Sequence, residues 1–419
     1  MFSDIKEFGG MDNCNPPASI DKKRFQEMSG CEIMNHGAVR RAIGCRIFSA
    51  GSGRHSIHSD GANLFFRSGT GLYRMDGAVP VLLDSQFQLA GGRTTYYTHF
   101  DRTYYSDNLH SGVVQAGAAR SWGLEPPPLP TVANALGDLL PGRYHVGVTY
   151  LRADGQESGT SGLAACDSTG GVRISVVPSA DTGVSQIGVY VTSAGGDVPY
   201  LQALLPNQAW TGIIGNGLGT GRPLDTNLCS KPSPCSIIAE YHGRLYLPSG
   251  PTLFFTRSGN QYELVGPLDK HFLPFGDEVT NVMPVEDGIW ITTLTSNMFL
   301  FGSDPHEGPG FQVRSKQQWG GIRNSGRVVD ADSIFSRVPL QGKVAIWNSP
   351  FGICMGGAGG YFKNITGDYY KPFRSMNGMS FVRVEQSLDQ YVFGMLASDI
   401  GFSMVDPADA LSVSTDNVP

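Results

Sequence analysis

The chain has 419 residues and a formal net charge of −6 at pH 7, and only 16% of its residues are charged. This charge argues against a nucleic-acid-binding protein that depends on phosphate contacts. No apolar run approaches the ~18 residues of a membrane-spanning helix, and residues 1–7 lack the apolar core of a signal peptide. With 55 glycines and 26 prolines, the composition favours many turns and short strands.

Seven cysteines are scattered along the chain, and this odd number fits free thiols in a reducing cytoplasm. Only Cys229 and Cys235 form a close pair. A disulfide or half of a metal site is the alternative, but no second group of Cys or His lies beside the pair in the sequence. We interpret it as part of a structural loop and expect neither a metal nor a cofactor.

The first 35 residues are a polar lead-in. The residue before a proline avoids the helical region, so the segment around Pro16 and Pro17 should be extended or turn-like. We therefore expect an N-terminal extended arm over residues 1–35, with strand signals beginning at Ala38.

A unit consisting of a tight turn and a strand with an aliphatic–aromatic pair recurs along the chain. The clearest copy has its turn at His242 and Gly243, where glycine supplies a backbone angle that reverses a chain. A weaker sixth copy lies at residues 388–393. The strand aromatics of the other five copies are Phe65, Tyr105, Tyr246, Trp290 and Trp347.

Most copies follow one another at intervals of about 40 to 57 residues, and one interval is longer by roughly 95 residues. Several short strands in each repeat of this length are typical of propeller blades. The predicted fold is therefore all-β, a six-bladed β-propeller over residues 36–121 and 222–405 with one interruption. The five aromatics should be buried at blade centres, with Tyr246, Trp290 and Trp347 at equivalent positions. An irregular β-sandwich is the alternative fold.

The interruption at residues 122–221 has a strand pattern of its own. It begins with a proline-rich stretch at residues 122–130, which we interpret as a stiff, exposed linker. Residues 142–151 then alternate, with Tyr144, Val146, Val148 and Tyr150 on one face. Further strands are predicted at 172–177, 187–192 and 200–205, which indicates a small β-sandwich. The glycine-rich residues 212–221 should form a flexible return linker.

The sequence GRYHVGVTYLRADGQESG from residue 142, followed by QIGVYVTS from residue 186, resembles a fibronectin-type-III-like module found inside bacteriophage virion proteins. The opening GGMDN from residue 9 and NPP from residue 15 are similar to the start of phage tail-hub or nozzle proteins built on a β-propeller. The resemblance implies a virion protein that is assembled in the host cytoplasm. The chain is shorter than the nozzle proteins of short-tailed phages, so its position in a particle stays open.

No set of residues in the sequence indicates catalysis. The Ser-x-Asp-x-Gly-x-x-Trp box of sialidases is absent, and residues 59–61 and 286–290 match it only in part. A glycosidase needs two carboxylates on opposite sides of the sugar, and the sequence does not pair them among 37 acidic residues. Asp330 and Asp332 fit a solvated loop better than a cation site. We predict that the protein is not an enzyme.

The sequence predicts an architectural or binding protein, and the resemblance implies a non-enzymatic structural component of a phage tail, neck or baseplate. Its partners would be other virion proteins, and it would form a symmetric homo-oligomer, such as a ring or trimer. One alternative is a receptor-binding tail-tip protein that docks a bacterial surface glycan or pilus, and a second is a sialidase-like glycosidase. Exposed aromatics at residues 96–97, 104–105 and 369–370 would favour receptor binding, and buried ones the structural role. Residues 406–419 should form a C-terminal tail.

Overall fold

The computed structural model describes residues 10–26, 31–33, 39–41, 53–267, 270–306, 308–333, 341–370, 377–385 and 388–395. These residues form 31 β-strands and three short 3-10 segments, Pro17–Ser19, Ala331–Ser333 and Ala358–Gly360. The all-β prediction is confirmed. A search of the same residues finds no helix with the length and apolar character needed to cross a bilayer. The predicted tail at residues 406–419 lies outside the described residues.

Five four-stranded antiparallel sheets, which we number I to V, each pair their strands in sequence order. Sheet I contains β3 Arg54–Ser59, β4 Leu64–Ser68, β5 Gly71–Asp76 and β6 Val79–Asp84. Sheet II contains β7 Thr95–His99, β8 Arg102–Ser106, β9 Ser111–Gln115 and β10 Ala118–Ser121. Sheet III contains β18 Ala239–Tyr241, β19 Arg244–Ser249, β20 Thr252–Phe255 and β21 Phe272–Pro274.

Sheets IV and V complete this series towards the C-terminus. Sheet IV contains β22 Val279–Val285, β23 Gly288–Thr293, β24 Asn297–Phe301 and β25 Gln312–Gln317. Sheet V contains β26 Arg327–Asp330, β27 Lys343–Ser349, β28 Gly352–Gly356 and β29 Phe362–Asn364. Two further antiparallel pairs are β1 Cys31–Ile33 with β2 Val39–Arg41, and β30 Gly378–Glu385 with β31 Leu388–Met395.

Tight turns between the strands follow from local backbone chemistry. Between β18 and β19, His242 and Gly243 have φ angles of 48° and 74°, and Tyr241 pairs with Arg244 across them. Two consecutive positive φ angles are typical of the type I′ turn, whose twist matches that of a hairpin. The predicted chain reversal at His242 and Gly243 is confirmed.

Residues 131–214, which we call the intervening segment, lie between sheets II and III in the chain and form two sheets. One has the strand order β11–β14–β17 and the other β13–β12–β15–β16. The strands are β11 Thr131–Ala135, β12 Gly142–Arg152, β13 Ala164–Ser168, β14 Gly171–Val176, β15 Val184–Val191, β16 Tyr200–Pro206 and β17 Trp210–Ile214. Both sheets contribute to one apolar cluster, in which Tyr144, Val146, Val148 and Tyr150 of β12 meet Ile174 of β14. The two sheets therefore pack face to face.

Each of sheets I to V packs against the next one along the chain. Separate apolar clusters join sheet I to II, II to III, III to IV, IV to V, and V to β30–β31. Sheet IV shows how both faces are used: Ile289 and Ile291 contact sheet III, whereas Trp290 between them contacts sheet V. This alternation is the two-residue period of a strand. Sheets II to V therefore bury apolar side chains on both faces.

The five aromatics predicted at blade centres all lie on the second strand of a four-stranded sheet, and all are buried. However, they do not share a face. Phe65, Tyr246 and Trp290 point to the sheet that follows in the chain, whereas Tyr105 and Trp347 point to the sheet that precedes. The prediction that Trp347 is equivalent to Tyr246 and Trp290 is therefore wrong.

Tyr105 follows a two-residue turn, as Tyr246 and Trp290 do, but lies one position further along its strand. For Trp347, the difference lies in the length of the connection before the strand. Val285 pairs with Gly288, so residues 286–287 form the turn before Trp290. The corresponding connection before Trp347 spans residues 331–342. Because a shift of one position moves a strand side chain to the other face, an offset counted from the turn does not identify equivalent residues here.

Trp290 and Trp347 face each other across the boundary between sheets IV and V, with ring centroids 5.5 Å apart. The Nε1 of Trp290 donates to the carbonyl of Gly357 at 3.0 Å. Its indole lies against Gly356, where a Cβ atom would come within 2.4 Å of the ring. Glycine at position 356 therefore permits the close approach of the two sheets.

The interpretation of residues 122–130 as an exposed linker is wrong for its first three residues, Trp122, Gly123 and Leu124, which are buried. Trp122 is buried between sheets II and III beside Tyr104, and its Nε1 donates to the carbonyl of Tyr262 at 2.8 Å. The predicted return linker is also wrong at its start, because Gly212 lies inside β17. In both places, contacts with distant residues outweigh the local proline and glycine content.

Replacing Trp122 by alanine should destabilise the protein about as much as Trp290→Ala does. Each substitution removes a fully buried indole, and such a truncation costs about 3–5 kcal/mol. Phe100 is 88% exposed, so the control Phe100→Ala should change the free energy of unfolding by less than about 0.5 kcal/mol. Urea unfolding followed by circular dichroism measures all three. A Trp122→Ala protein as stable as the control would contradict this placement.

Candidate functional site

The first strands of the sheets converge on a central cavity of about 410 Å³. Its lining comes from residues 56–58, 93–96, 237–238, 281–283 and 326–328, together with one asparagine before β26. These residues lie on, or next to, the first strands of sheets I, II, III, IV and V. The inner edges of all five sheets thus share one cavity.

Side-chain contacts between neighbouring sheets hold the cavity wall in place. The Asn281 amide on β22 donates to Thr292 Oγ1 at 2.8 Å, and its Oδ1 accepts from the Gly326 backbone N–H at 2.7 Å. This joins sheet IV to the entry of sheet V. His58 of sheet I stacks on Tyr96 of sheet II with ring centroids 5.0 Å apart. The wall is therefore built from fixed side chains.

The cavity lining carries two arginines, Arg93 and Arg327, and no carboxylate is found among its described residues. Arg327 donates to the backbone carbonyls of Gly326 and Ser380. Arg93 makes no hydrogen bond or ion pair with any residue that the structure describes, although its Nη1 is buried. Burial, and then the like charge of Arg327, lower the pKa of Arg93 to about 9. Arg93 therefore remains charged at pH 7.

A second charged site, which we call the junction cluster, consists of Arg102, Arg120, Arg152, Asp154, Asp181 and Glu263. The buried Glu263 carboxylate accepts from Arg120 at 2.6 and 2.7 Å, from Arg102 at 2.9 Å and from Arg152 at 3.5 Å. Arg102 and Arg120 belong to sheet II, Arg152 ends β12 of the intervening segment, and Glu263 follows β20 of sheet III. Three parts of the chain thus meet at one carboxylate.

The two aspartates of the junction cluster balance its remaining positive charge. Asp154 lies 3.1 Å from Arg102, and Asp181 lies 2.9 Å from Arg152. Three carboxylates then face three guanidinium groups. Removing one member of a buried network leaves an uncompensated charge, which is strongly destabilising. The junction cluster therefore fixes the intervening segment against sheets II and III.

The chain passes from the core between sheets II and III to the core of the intervening segment within two residues. Trp122 belongs to the first core and Leu124 to the second. Gly123 between them has a φ of 80°, and its N–H donates to Glu263 Oε2 at 3.2 Å. A Cβ atom at position 123 would lie 2.6 Å from the Glu263 carbonyl oxygen. Only glycine combines a positive φ with the absence of a Cβ atom. Packing against Glu263 therefore fixes the point at which the chain passes from one core to the other.

Other charged groups of the described chain also line cavities, such as Asp84, which pairs with His110 at 2.6 Å. In the ranges that the structure describes, no group of three or more His, Cys, Asp or Glu side chains could hold a metal ion. Cys229 and Cys235 are both free and buried. The five aromatics predicted at blade centres lie neither in the cavity lining nor in the junction cluster, and they pack between sheets instead.

No motif in the sequence indicated a role for Arg93, Arg327 or Glu263. Glu263 bonds to residues 111 and 143 positions away, and nothing local to it signals those contacts. Arg93 follows two glycines and precedes a strand, as many surface arginines do. The low content of charged residues was the one available signal for a functional role of these residues. Where charged residues are few, each arginine within a strand-rich region is a candidate for such a role.

Substituting Glu263 by glutamine should lower the free energy of unfolding by about 3–5 kcal/mol, because three arginines then lack their shared carboxylate. The matched control is Glu125→Gln. Glu125 pairs with Lys231 at 2.6 Å, but both side chains are exposed, so its loss should cost less than about 1 kcal/mol. Chemical denaturation measures both variants. Equal costs for the two would show that the junction cluster does not fix the segment.

No protein-family model matches the chain, and no curated protein matches it. Among solved structures, the chain is similar to BBS1N in complex with ARL6DN, at 10% identity over 84% of this chain and 94% of that chain, with a TM-score of 0.30. It is also similar to Saccharomyces cerevisiae Sqt1, at 9% identity over 77% of each chain with a TM-score of 0.29. Apo AztD from Citrobacter koseri matches at 11% identity over 86% of this chain and 92% of that chain, with a TM-score of 0.26. At TM-scores this low, the similarities establish neither a fold nor a function.

Proposed function

We propose that the chain is a six-bladed β-propeller interrupted by a fibronectin-III-like β-sandwich, and that it is a non-enzymatic structural component of a bacteriophage virion. Sheets I to V would be five of the blades, and the intervening segment would be the inserted sandwich. The observation that carries the function is the junction cluster, because its ion pairs would hold the propeller and the sandwich together as one body.

The stacking order supports the propeller. Blades pack in sequence around a central channel, and sheets I to V pack in sequence with their first strands around one cavity. A closed ring needs one more blade between sheets V and I. The pair β30–β31 supplies part of it, because Val382 and Tyr391 pack against sheet V.

The N-terminal arm supports the placement of β1–β2 in that sixth blade. Arg24 lies 3.6 Å over the ring of Tyr369, which follows the last strand of sheet V. Along the chain, β1 and β2 come after this contact and before Arg54, the first residue of sheet I. A path from sheet V to sheet I through β1–β2 would agree with closure of the ring.

A rigid body with two different surfaces suits a symmetric assembly. The propeller would present its turns, and the sandwich, held through Arg102, Arg152 and Glu263, would present a second surface. The proposed partners are other virion proteins and further copies of the chain in a ring or trimer. The proposed location is the virion, in the tail, neck or baseplate.

The tyrosine pairs support the structural role over receptor binding. Tyr104 and Tyr105 are buried, and Tyr96 and Tyr97 are partly buried. Among the described tyrosines at positions 96–97, 104–105 and 369–370, only Tyr369 is exposed, at 42%. Aromatic rings that pack between sheets stabilise the scaffold and are not free to stack on a glycan.

One observation favours the receptor-binding alternative. Phe100 lies in the turn between β7 and β8, is 88% exposed and has a φ of 51°. That conformation is costly for a bulky side chain. An exposed aromatic in such a turn suits a contact with a bacterial surface glycan or pilus.

Purified particles of the virus that encodes the chain should contain it at a fixed copy number, measurable by quantitative mass spectrometry and cryo-electron microscopy. Particles that carry Phe100→Ala should assemble with the same copy number and adsorb to the host normally, because the structural role does not use this ring. Complete particles without the chain would contradict the structural role. Normal assembly with lost adsorption would favour receptor binding.

The purified protein should not hydrolyse sialosides or bacterial polysaccharides. A glycosidase needs two carboxylates around the sugar, and the part of the central cavity's lining that the structure describes contains none. Reducing-sugar and fluorogenic assays measure turnover. Sustained turnover that is lost on substituting a single Asp or Glu would overturn the non-enzymatic assignment and favour the glycosidase alternative.

A further inference from the structure

Buried arginines elsewhere in this protein have carboxylate partners. Arg67 and Arg244, both buried, each pair with an aspartate, at 3.3 and 2.6 Å, and Arg152 pairs with two carboxylates in the junction cluster. Arg93 and Arg327 differ, because neither forms an ion pair with a residue in the described ranges. The central cavity is thus the place where two partly buried cations have no carboxylate partner among the described residues.

This arrangement is unfavourable for the protein alone. Desolvating a charge without pairing it raises the free energy of the folded state, and two like charges repel. The carbonyls of Gly326 and Ser380 accept hydrogen bonds from Arg327, but they are neutral and leave its charge uncompensated. Arg93 has no acceptor among the described residues. A purely structural role for Arg93 does not explain why its guanidinium has no acceptor.

We propose that the central cavity binds a small phosphate-bearing anion between Arg93 and Arg327. A guanidinium presents paired N–H groups that match two oxygens of a phosphate. Asn324 also lines the cavity, and its side-chain amide makes no hydrogen bond with the described residues, so it adds a neutral donor. The volume of about 410 Å³ lies in the range of small-molecule sites, about 300–1,000 Å³. It therefore has room for a phosphate and a small attached group.

Inorganic phosphate is the probe, compared with sodium chloride at equal ionic strength. Phosphate should raise the Tm of the wild-type protein beyond the effect of chloride, because a ligand that binds only the folded state stabilises it. Arg93→Gln should bind phosphate at least tenfold more weakly by calorimetry. Without phosphate, its Tm should equal or exceed that of the wild type, because a repelling charge is gone. Arg143→Gln, at an exposed position of β12, should behave as the wild type.

A second variant keeps both arginines and supplies an internal anion. Asn324 has a φ of 62°, which aspartate also adopts, so Asn324→Asp places a carboxylate in the cavity. This variant should be more stable than the wild type without phosphate and should lose the phosphate-specific increase in Tm. The gain in stability follows from charge compensation alone, so the loss of the phosphate-specific increase in Tm is the result that a merely structural arginine does not predict.

Three results would overturn the proposal. The first is a wild-type protein on which phosphate has no more effect than chloride. The second is an Arg93→Gln protein that keeps the wild-type affinity for phosphate. The third is an Asn324→Asp protein that keeps the full phosphate-specific increase in Tm. None of these outcomes bears on the virion role, which is tested on particles.

Discussion

Every sheet in the middle of the stack has two apolar faces, and this constraint organises the rest of the molecule. A strand such as β23 sends Ile289 and Ile291 one way and Trp290 the other, so no single neighbour can cover it. Each sheet needs a partner on both sides, and each partner has the same need. A stack with this property either ends in a half-covered sheet or closes on itself. The close contact of Trp290 with Gly356 shows that the spacing between sheets is set by side-chain size at the boundary.

The intervening segment follows a different physical rule, because charge and not apolar packing alone holds it to the stack. Arg120 bonds to both oxygens of Glu263, and a planar guanidinium loses less freedom in such a two-point contact than a lysine would. Because the junction cluster is buried, any of its charged groups left without a partner would raise the free energy of the folded state. The contact with Glu263 is therefore stable only in one orientation of the three arginines. Trp122 and Leu124 then anchor the connection in two separate cores. The segment is consequently held in one orientation, which a flexible linker would not achieve.

Patterns of neighbouring residues predicted much of the local structure. The alternation in β12 and the turn before β19 identified strands, their buried faces and their ends, because strand period and turn chemistry are local properties. The face of Trp347 was not predictable in this way, because it depends on the length of the connection over residues 331–342. The burial of Trp122 and the partners of Glu263 depend on residues more than a hundred positions away. Composition alone suggests a linker at Trp122, and only the folded chain shows the contacts that replace it.

The position of the two cavity arginines connects the proposed anion site to the architecture. Arg93 precedes the first strand of sheet II, and Arg327 begins the first strand of sheet V. In a closed ring of six blades, sheets II and V lie opposite each other. An anion held by both guanidinium groups would therefore brace the ring across its axis, while the apolar clusters join only neighbouring sheets. The protein has a net charge of −6, so the positively charged cavity is an exception on an acidic protein. The negative charge of the protein repels anions. This repulsion would slow the entry of an anion more than it would weaken the contact of a bound anion with the two arginines. The same two arginines that destabilise the empty cavity would then stabilise the occupied one.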